Sequence, residues 1–208
     1  MDKDEFERLI KEAEKNAPPM FHPIHERDEG AWVPSNEAGS IASIISHTWE
    51  DIHCLFKIRR KSKIDYEKKL LFKYIVIELR SVIEQLEKLQ SIIFTVIKGN
   101  AKEALPNGYI SENEAEEIKV LFKKYHSVKK DVENDIIDIR NNIGAHRGDR
   151  PWVNIMELWD KLDPEIFKPL IIVIPELFEL ITKLDIYDWT RIPEDGSIEI
   201  CCSGLNKT

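Results

Sequence analysis

The feature that most restricts the fold is a stripe of apolar residues recurring at steps of three and four: Leu71, Ile75, Leu79, Val82, Leu86, Leu89, Ile93 and Val96. That period matches the 3.6-residue turn of an α-helix, and a stripe this long must be covered along one face by other helices. It predicts a helix over residues 65–98, stopped by Gly99-Asn100. A second stripe, Ile118, Leu121, Tyr125, Val128, Val132, Ile136, Ile139, Ile143 and His146, predicts a partner helix that starts near residue 112 and runs to His146. Between the two, Pro106-Asn107-Gly108 is a turn signal, and Ser111 with Glu114 has the form of a capping box. Two long antiparallel helices joined by a turn are the expected centre of an all-α fold.

The same spacing, through Ile41, Ile44, Ile45, Trp49, Ile52, Leu55 and Phe56, predicts a helix from Ser35 or Asn36 to about Arg60. After the second stripe, Ile155, Leu158 and Trp159 mark a short helix. Asp163-Pro164-Glu165 then supplies the cap, first-position proline and acidic first turn of a last helix, in which Pro169 and Pro175 are expected to kink the axis. Residues 2–15 read as a short amphipathic helix, followed by a link with prolines at 18, 19, 23 and 34. Residues 198–200 have the pattern of a short strand. The expected division is an N-terminal helix and proline-rich link over residues 1–35, a helical bundle over 36–188 and a tail over 189–208.

At 208 residues with 42% hydrophobic residues, the chain can bury one substantial core. No run reaches 18 uncharged apolar residues, and Met1-Asp2-Lys3-Asp4-Glu5 lacks the form of a signal peptide, so a cytoplasmic protein without a membrane partner is expected. Cys54 and the adjacent Cys201-Cys202 make no disulfide framework. His22 and His25 have no cysteine or acidic partner at a matching interval, and no Gly-rich phosphate loop or acidic triad is visible, so neither a metal nor a cofactor is expected. His53 and Cys54 are neighbours on a helix and point about 100° apart, which argues against a nucleophile–base pair.

A net charge of −8 excludes a protein that coats nucleic acid without selectivity. Charge is concentrated locally, however. Residues 57–73 hold eight cations (Lys57, Arg59, Arg60, Lys61, Lys63, Lys68, Lys69 and Lys73) against Asp65 and Glu67. Such a stretch is either a solvated helix junction or a wall for a phosphate backbone, with Arg59, Arg60 and Lys61 as candidate contacts.

The second stripe ends in the run Ile139-Arg140-Asn141-Asn142-Ile143-Gly144-Ala145-His146-Arg147. It brings together a permanent cation, two amides and an imidazole, a kit able to grip and cleave a phosphodiester. RNA carries its own nucleophile in the 2′-OH, so a proton-transfer group and a cation suffice without a metal. His146 is the proton-transfer candidate and Arg140 the phosphate ligand. Asn141 and Asn142 would orient the imidazole or the phosphate, and Arg147 and Arg150 would extend the backbone grip. The spacing alone is weak: with nine Arg and six His, an Arg followed by His at five to seven residues arises by chance roughly 0.8 times per chain. An ideal helix would also hold Arg140 and His146 about 120° apart around the axis and about 9 Å along it. Convergence would need a bend at Gly144 or a second copy of the motif across a twofold axis.

The context of the motif, with polar Asn141 after Arg140, small Ala145 before His146, basic Arg147 after it and a long helix leading in, resembles the HEPN superfamily, and its abortive-infection branch in particular. That resemblance implies a HEPN-like helical bundle and a metal-independent endoribonuclease of toxin or abortive-infection type. It further implies an active site shared across a homodimer, and an antitoxin or nucleotidyltransferase as a possible partner. Two alternatives stay open: a catalytically silent HEPN-like bundle that binds a nucleotide or a protein, and a structural module in which Arg140 and His146 only fix a helix end.

Overall fold

A computed structural model of the chain describes residues 31–99, 110–144, 152–187, 189–192 and 199–201. The elements, in chain order, are β1 (Ala31–Pro34), α1 (Glu37–Lys61), α2 (Asp65–Ile97), α3 (Glu112–Ile139), a π-helical turn (Arg140–Gly144), α4 (Trp152–Asp160), α5 (Pro164–Ile181), β2 (Trp189–Ile192) and β3 (Glu199–Cys201). The fold is mostly helical, as the apolar periodicity requires, with a small antiparallel sheet of order β1-β2-β3 added to it.

Local chemistry sets the helix boundaries. Asn36 caps α1 by accepting from the Gly39 amide at 2.8 Å. Ser111 and Glu114 complete the expected capping box at the start of α3. Asp163 caps α5, with Pro164 in its first turn and the Glu165 amide donating at 3.0 Å. Helix α5 runs as one element through Pro169 and Pro175. Gly99, after α2, takes φ +71°, a left-handed conformation that glycine adopts without strain.

Helix α2 lies at the centre. Phe72, Ile75, Val76, Leu79, Val82, Ile83, Leu86, Leu89 and Ile93 are all fully buried, around more of the circumference than a single stripe would need. Helix α1 covers one side as a hairpin closed by residues 62–64, and α3 covers another. The α2–α3 pairing is antiparallel: Phe94 meets Phe122 at 5.8 Å, Gln90 meets His126 at 3.0 Å, and Arg80 approaches Glu133 at 3.6 Å, so one chain descends as the other rises. The expected central pair is therefore present, with α1 packed on α2 as well. Phe72 sits between Phe56 of α1 (6.4 Å between ring centroids) and Phe167 of α5 (5.7 Å), tying three helices together.

The chain on either side of the bundle is joined by the sheet. Ala31 pairs with Ile192 and Pro34 with Trp189, while Trp189 also pairs with Cys201. The Asn36 amide adds a cross-link by donating to the Ile186 carbonyl at 3.0 Å. Residues assigned from sequence to the N-terminal link and to the C-terminal tail thus share one sheet. The strand expected at 198–200 is found at Glu199–Cys201. The expected helix at 2–15, the turn at 106–108 and the histidines at 22 and 25 lie outside the described residues.

Because Phe72 is buried between aromatic rings of two other helices, truncation should leave a cavity that those rings cannot fill. Phe72→Ala is expected to lower the unfolding free energy by about 3–5 kcal/mol, against about 1 kcal/mol for loss of the cap in Ser111→Ala, both measured by denaturant titration. Equal losses in the two variants would show that Phe72 does not join the helices as described.

Candidate functional site

The stripe of the motif helix does not stay α-helical to His146. Regular winding ends at Ile139, and Arg140 to Gly144 form a π-helical turn, a wider winding that often marks functional sites. The α-helical offset between Arg140 and His146 therefore does not carry over to this segment. His146, Arg147 and Arg150 lie outside the described residues.

Within the turn, the three candidate side chains have different fates. Arg140 is exposed, with about 45% of its side chain accessible, and its Nη1 stands 3.6 Å from Glu84 Oε1 on α2. Asn141 is exposed beside it. Asn142 points inward: it is 8% accessible and donates through Nδ2 to the Asp138 carbonyl at 2.8 Å, bracing the turn from within. Arg140 and Asn141 thus reach solvent together, and Asn142 supports them.

Arg140 is the end of a ladder of alternating charge along the α2–α3 seam. Arg80 Nε donates to Glu84 at 2.9 Å, and Arg80 Nη1 lies 3.6 Å from Glu133. Lys129 bridges Glu133 at 3.2 Å and pairs with Glu87. Farther along, His126 donates from Nε2 to Gln90 and stacks on Phe122 at 6.2 Å. Tyr125 is fully buried beneath, its hydroxyl without a hydrogen-bond partner among the described residues. Isolated exposed ion pairs contribute about 0–1 kcal/mol each, so the ladder acts more through geometry than through any single contact. It follows the register of α3 on α2 and, through Glu84, restricts the direction of the Arg140 guanidinium.

Sequence reading did not single out Arg80, Glu84, His126 or Glu133. The signal was present as charges three and four apart, Arg80-Glu84-Glu87 on one helix and Lys129-Glu133 on the other, flanking the apolar stripes. Which charges face each other follows only from the antiparallel register.

The basic stretch separates into distinct environments. Arg59 lies across the Phe72 ring at 5.6 Å, with its Nε enclosed and without a hydrogen-bond partner. Burial lowers the Arg59 pKa, opposed by the Asp163 carboxylate. Lys73 is buried with its ammonium 4.2 Å from the Tyr74 ring centroid. Lys68 and Lys69 pair with Asp65 and Asp160. Lys57, Lys61 and Lys63 are exposed and make no ion pair among the described residues, and Arg60 is half-buried. Elsewhere, Cys54 is exposed, and the His53 ring packs edge-on against Trp49 at 5.7 Å. Among the described residues no three His, Cys, Asp or Glu side chains converge as a metal site, and no helix is long and apolar enough to cross a membrane.

Burial lowers the His126 pKa and the Lys129 ammonium lowers it further, against the opposing pull of Glu87 and Glu133. Burial also acts to lower the Lys129 pKa, but its hydrogen bonds to Glu87 and Glu133 outweigh this and raise it. A histidine with a depressed folded pKa favours the folded state above its unfolded value near 6.5 and loses that contribution as the pH falls through the folded value. Thermal stability is therefore expected to fall as the pH drops below about 6.5, and His126→Gln should flatten that part of the curve. A profile unchanged by the substitution would remove His126 as its source.

No protein-family model, curated protein or solved structure matches this chain.

Proposed function

We propose that the chain is a HEPN-like, metal-independent endoribonuclease in which Arg140 binds the scissile phosphate and His146 transfers protons during attack by the 2′-OH, leaving a 2′,3′-cyclic phosphate. The observation that supports this most is the exposed guanidinium of Arg140 on a π-helical turn, with Asn141 open beside it and Glu84 restricting its direction. A cation pre-aimed at the edge of a seam can accept charge from a phosphate with little reorganisation, which is the main requirement for stabilising a pentavalent transition state. The α2–α3 seam beside it is the face on which a symmetric homodimer would bring two motifs into one cleft. The motif's likeness to toxin and abortive-infection ribonucleases agrees with this chemistry and adds an antitoxin or nucleotidyltransferase as a partner class.

The Glu84–Arg140 ion pair also favours a second reading, in which the arginine is a strut that holds the end of α3 against α2 and the bundle is catalytically silent. The two readings separate on Glu84. For a nuclease, Glu84→Gln keeps cleavage, because the guanidinium that meets phosphate is still present. For a strut, Glu84→Gln and Arg140→Ala lower the melting temperature alike and neither alters any reaction on RNA.

Purified protein is expected to cut RNA in the presence of EDTA. His146→Ala should slow cleavage by about 10²–10⁴-fold, and Arg140→Ala should slow it as clearly, with circular dichroism and sedimentation unchanged. Sedimentation should show a dimer at micromolar concentration. Wild-type protein that cuts no RNA, or variants that cut as well as wild type, would end the nuclease reading.

A further inference from the structure

The end of the α1–α2 hairpin carries a feature that the cleavage chemistry does not use. Tyr66, in the first turn of α2, is 65% accessible and stacks on Trp159 of α4, with ring centroids 6.0 Å apart and planes 25° from parallel. One face of the tyrosine ring is covered by the indole, and the high accessibility leaves the other to solvent. Ile58 and Ile64, 54% and 56% accessible, lie at the same end of the hairpin. Scattered exposed apolar residues are ordinary, but two at the same hairpin end as a stacked aromatic pair make an apolar patch.

The charges around that patch are unequal. Lys57, Lys61 and Lys63 are exposed and carry no ion pair among the described residues. Two of the acidic groups at the tip are ion-paired, Asp65 with Lys68 at 3.5 Å and Asp160 with Lys69 at 3.4 Å, while Glu67, which accepts from the Ser62 hydroxyl at 2.7 Å, keeps its charge and leaves the three lysines in excess. The tip therefore combines a flat aromatic surface with unneutralised cations, which suits a polyanion that carries exposed rings.

We propose that Tyr66, backed by Trp159, is a stacking platform for an unpaired base, and that Lys57, Lys61 and Lys63 hold the adjoining phosphates, so the substrate is single-stranded RNA. The inference rests on the reading of the chain as a ribonuclease. A base laid on Tyr66 continues the stack begun by the indole. Bases inside a duplex are already stacked and cannot be offered to the ring, so duplex RNA gains nothing from it. Helix α4 links platform and cleavage site, since Lys161 at its end pairs with Asp135, just before the Arg140 turn. Eighteen helical residues separate Tyr66 from Glu84, the partner of Arg140, which is about 27 Å of helix rise. The bound strand must therefore span several nucleotides.

The test is equilibrium binding of an unstructured single-stranded RNA and a blunt duplex of equal length, with every variant placed in the full-length His146→Ala protein to prevent cutting. Tyr66→Ala should weaken single-strand binding by about 5- to 150-fold, with an unchanged salt slope and no effect on the duplex. Tyr66→Phe, which keeps the ring, should bind within about twofold of the parent. Replacing Lys57, Lys61 and Lys63 together with Gln should reduce the log–log salt slope by about 2. Single-strand binding that is absent, or indifferent to Tyr66→Ala, would overturn the platform, as would an equal loss on the duplex. So would transfer of the Tyr66 dependence from RNA to vesicles containing anionic phosphatidylserine. Cleavage by the protein with His146 intact, with no Tyr66 effect on binding in the His146→Ala background, defeats the platform alone, whereas Tyr66-dependent binding by a protein that with His146 intact never cuts RNA defeats the nuclease reading alone.

Discussion

Covering α2 is the constraint on which the other elements depend. Its apolar residues extend around so much of the helix that it has no stable solvated state of its own, and α1, α3 and Phe167 of α5 each remove part of that surface from water. Once α3 is docked antiparallel, the side chains flanking the two stripes must also meet. The charge ladder along the seam is thus a consequence of apolar registration, and Arg140 inherits its orientation from contacts made several turns away.

This hierarchy explains which parts were legible in the sequence. Periodicity of three and four is a property of one helix, so the extents of α1 and α2, the Ser111–Glu114 capping box and the Asp163-Pro164 start of α5 could be read directly. Ion pairs between helices depend on axial register, which no single segment encodes, and so Glu84 and His126 escaped notice. The π-helical turn was hidden for a related reason: Ile143 still fits the apolar step of four from Ile139, and the pattern does not distinguish that winding from a wider one. The sheet was only half visible, since β1 lies in a proline-marked link and gains its identity from β2, far along the chain.

At the candidate site, residue types were informative and positions less so. Arg140 and Asn141 reach solvent, as a role in phosphate contact requires, whereas Asn142 is spent on the Asp138 carbonyl. The cations of the basic stretch, counted together in the sequence, fall into different environments: Arg59 and Lys73 lie against rings, Lys68 and Lys69 are paired with carboxylates, and Lys57, Lys61 and Lys63 have no ion pair among the described residues. Pairing with Asp65 and Asp160 offsets two of these charges, so the effective charge of the tip is smaller than its composition suggests.

The double hydrogen bonding of Asn36 has a consequence for the order of assembly. Its side chain caps α1 and also holds the Ile186 carbonyl, 150 residues away, beside the pairing of β1 with β2. During synthesis the α1–α2 hairpin can close on itself as soon as it emerges, because its contacts are near in sequence. Strand β1 must wait with an unsatisfied backbone edge until residue 192 has left the ribosome, a long interval in which another nascent chain could supply the missing partner.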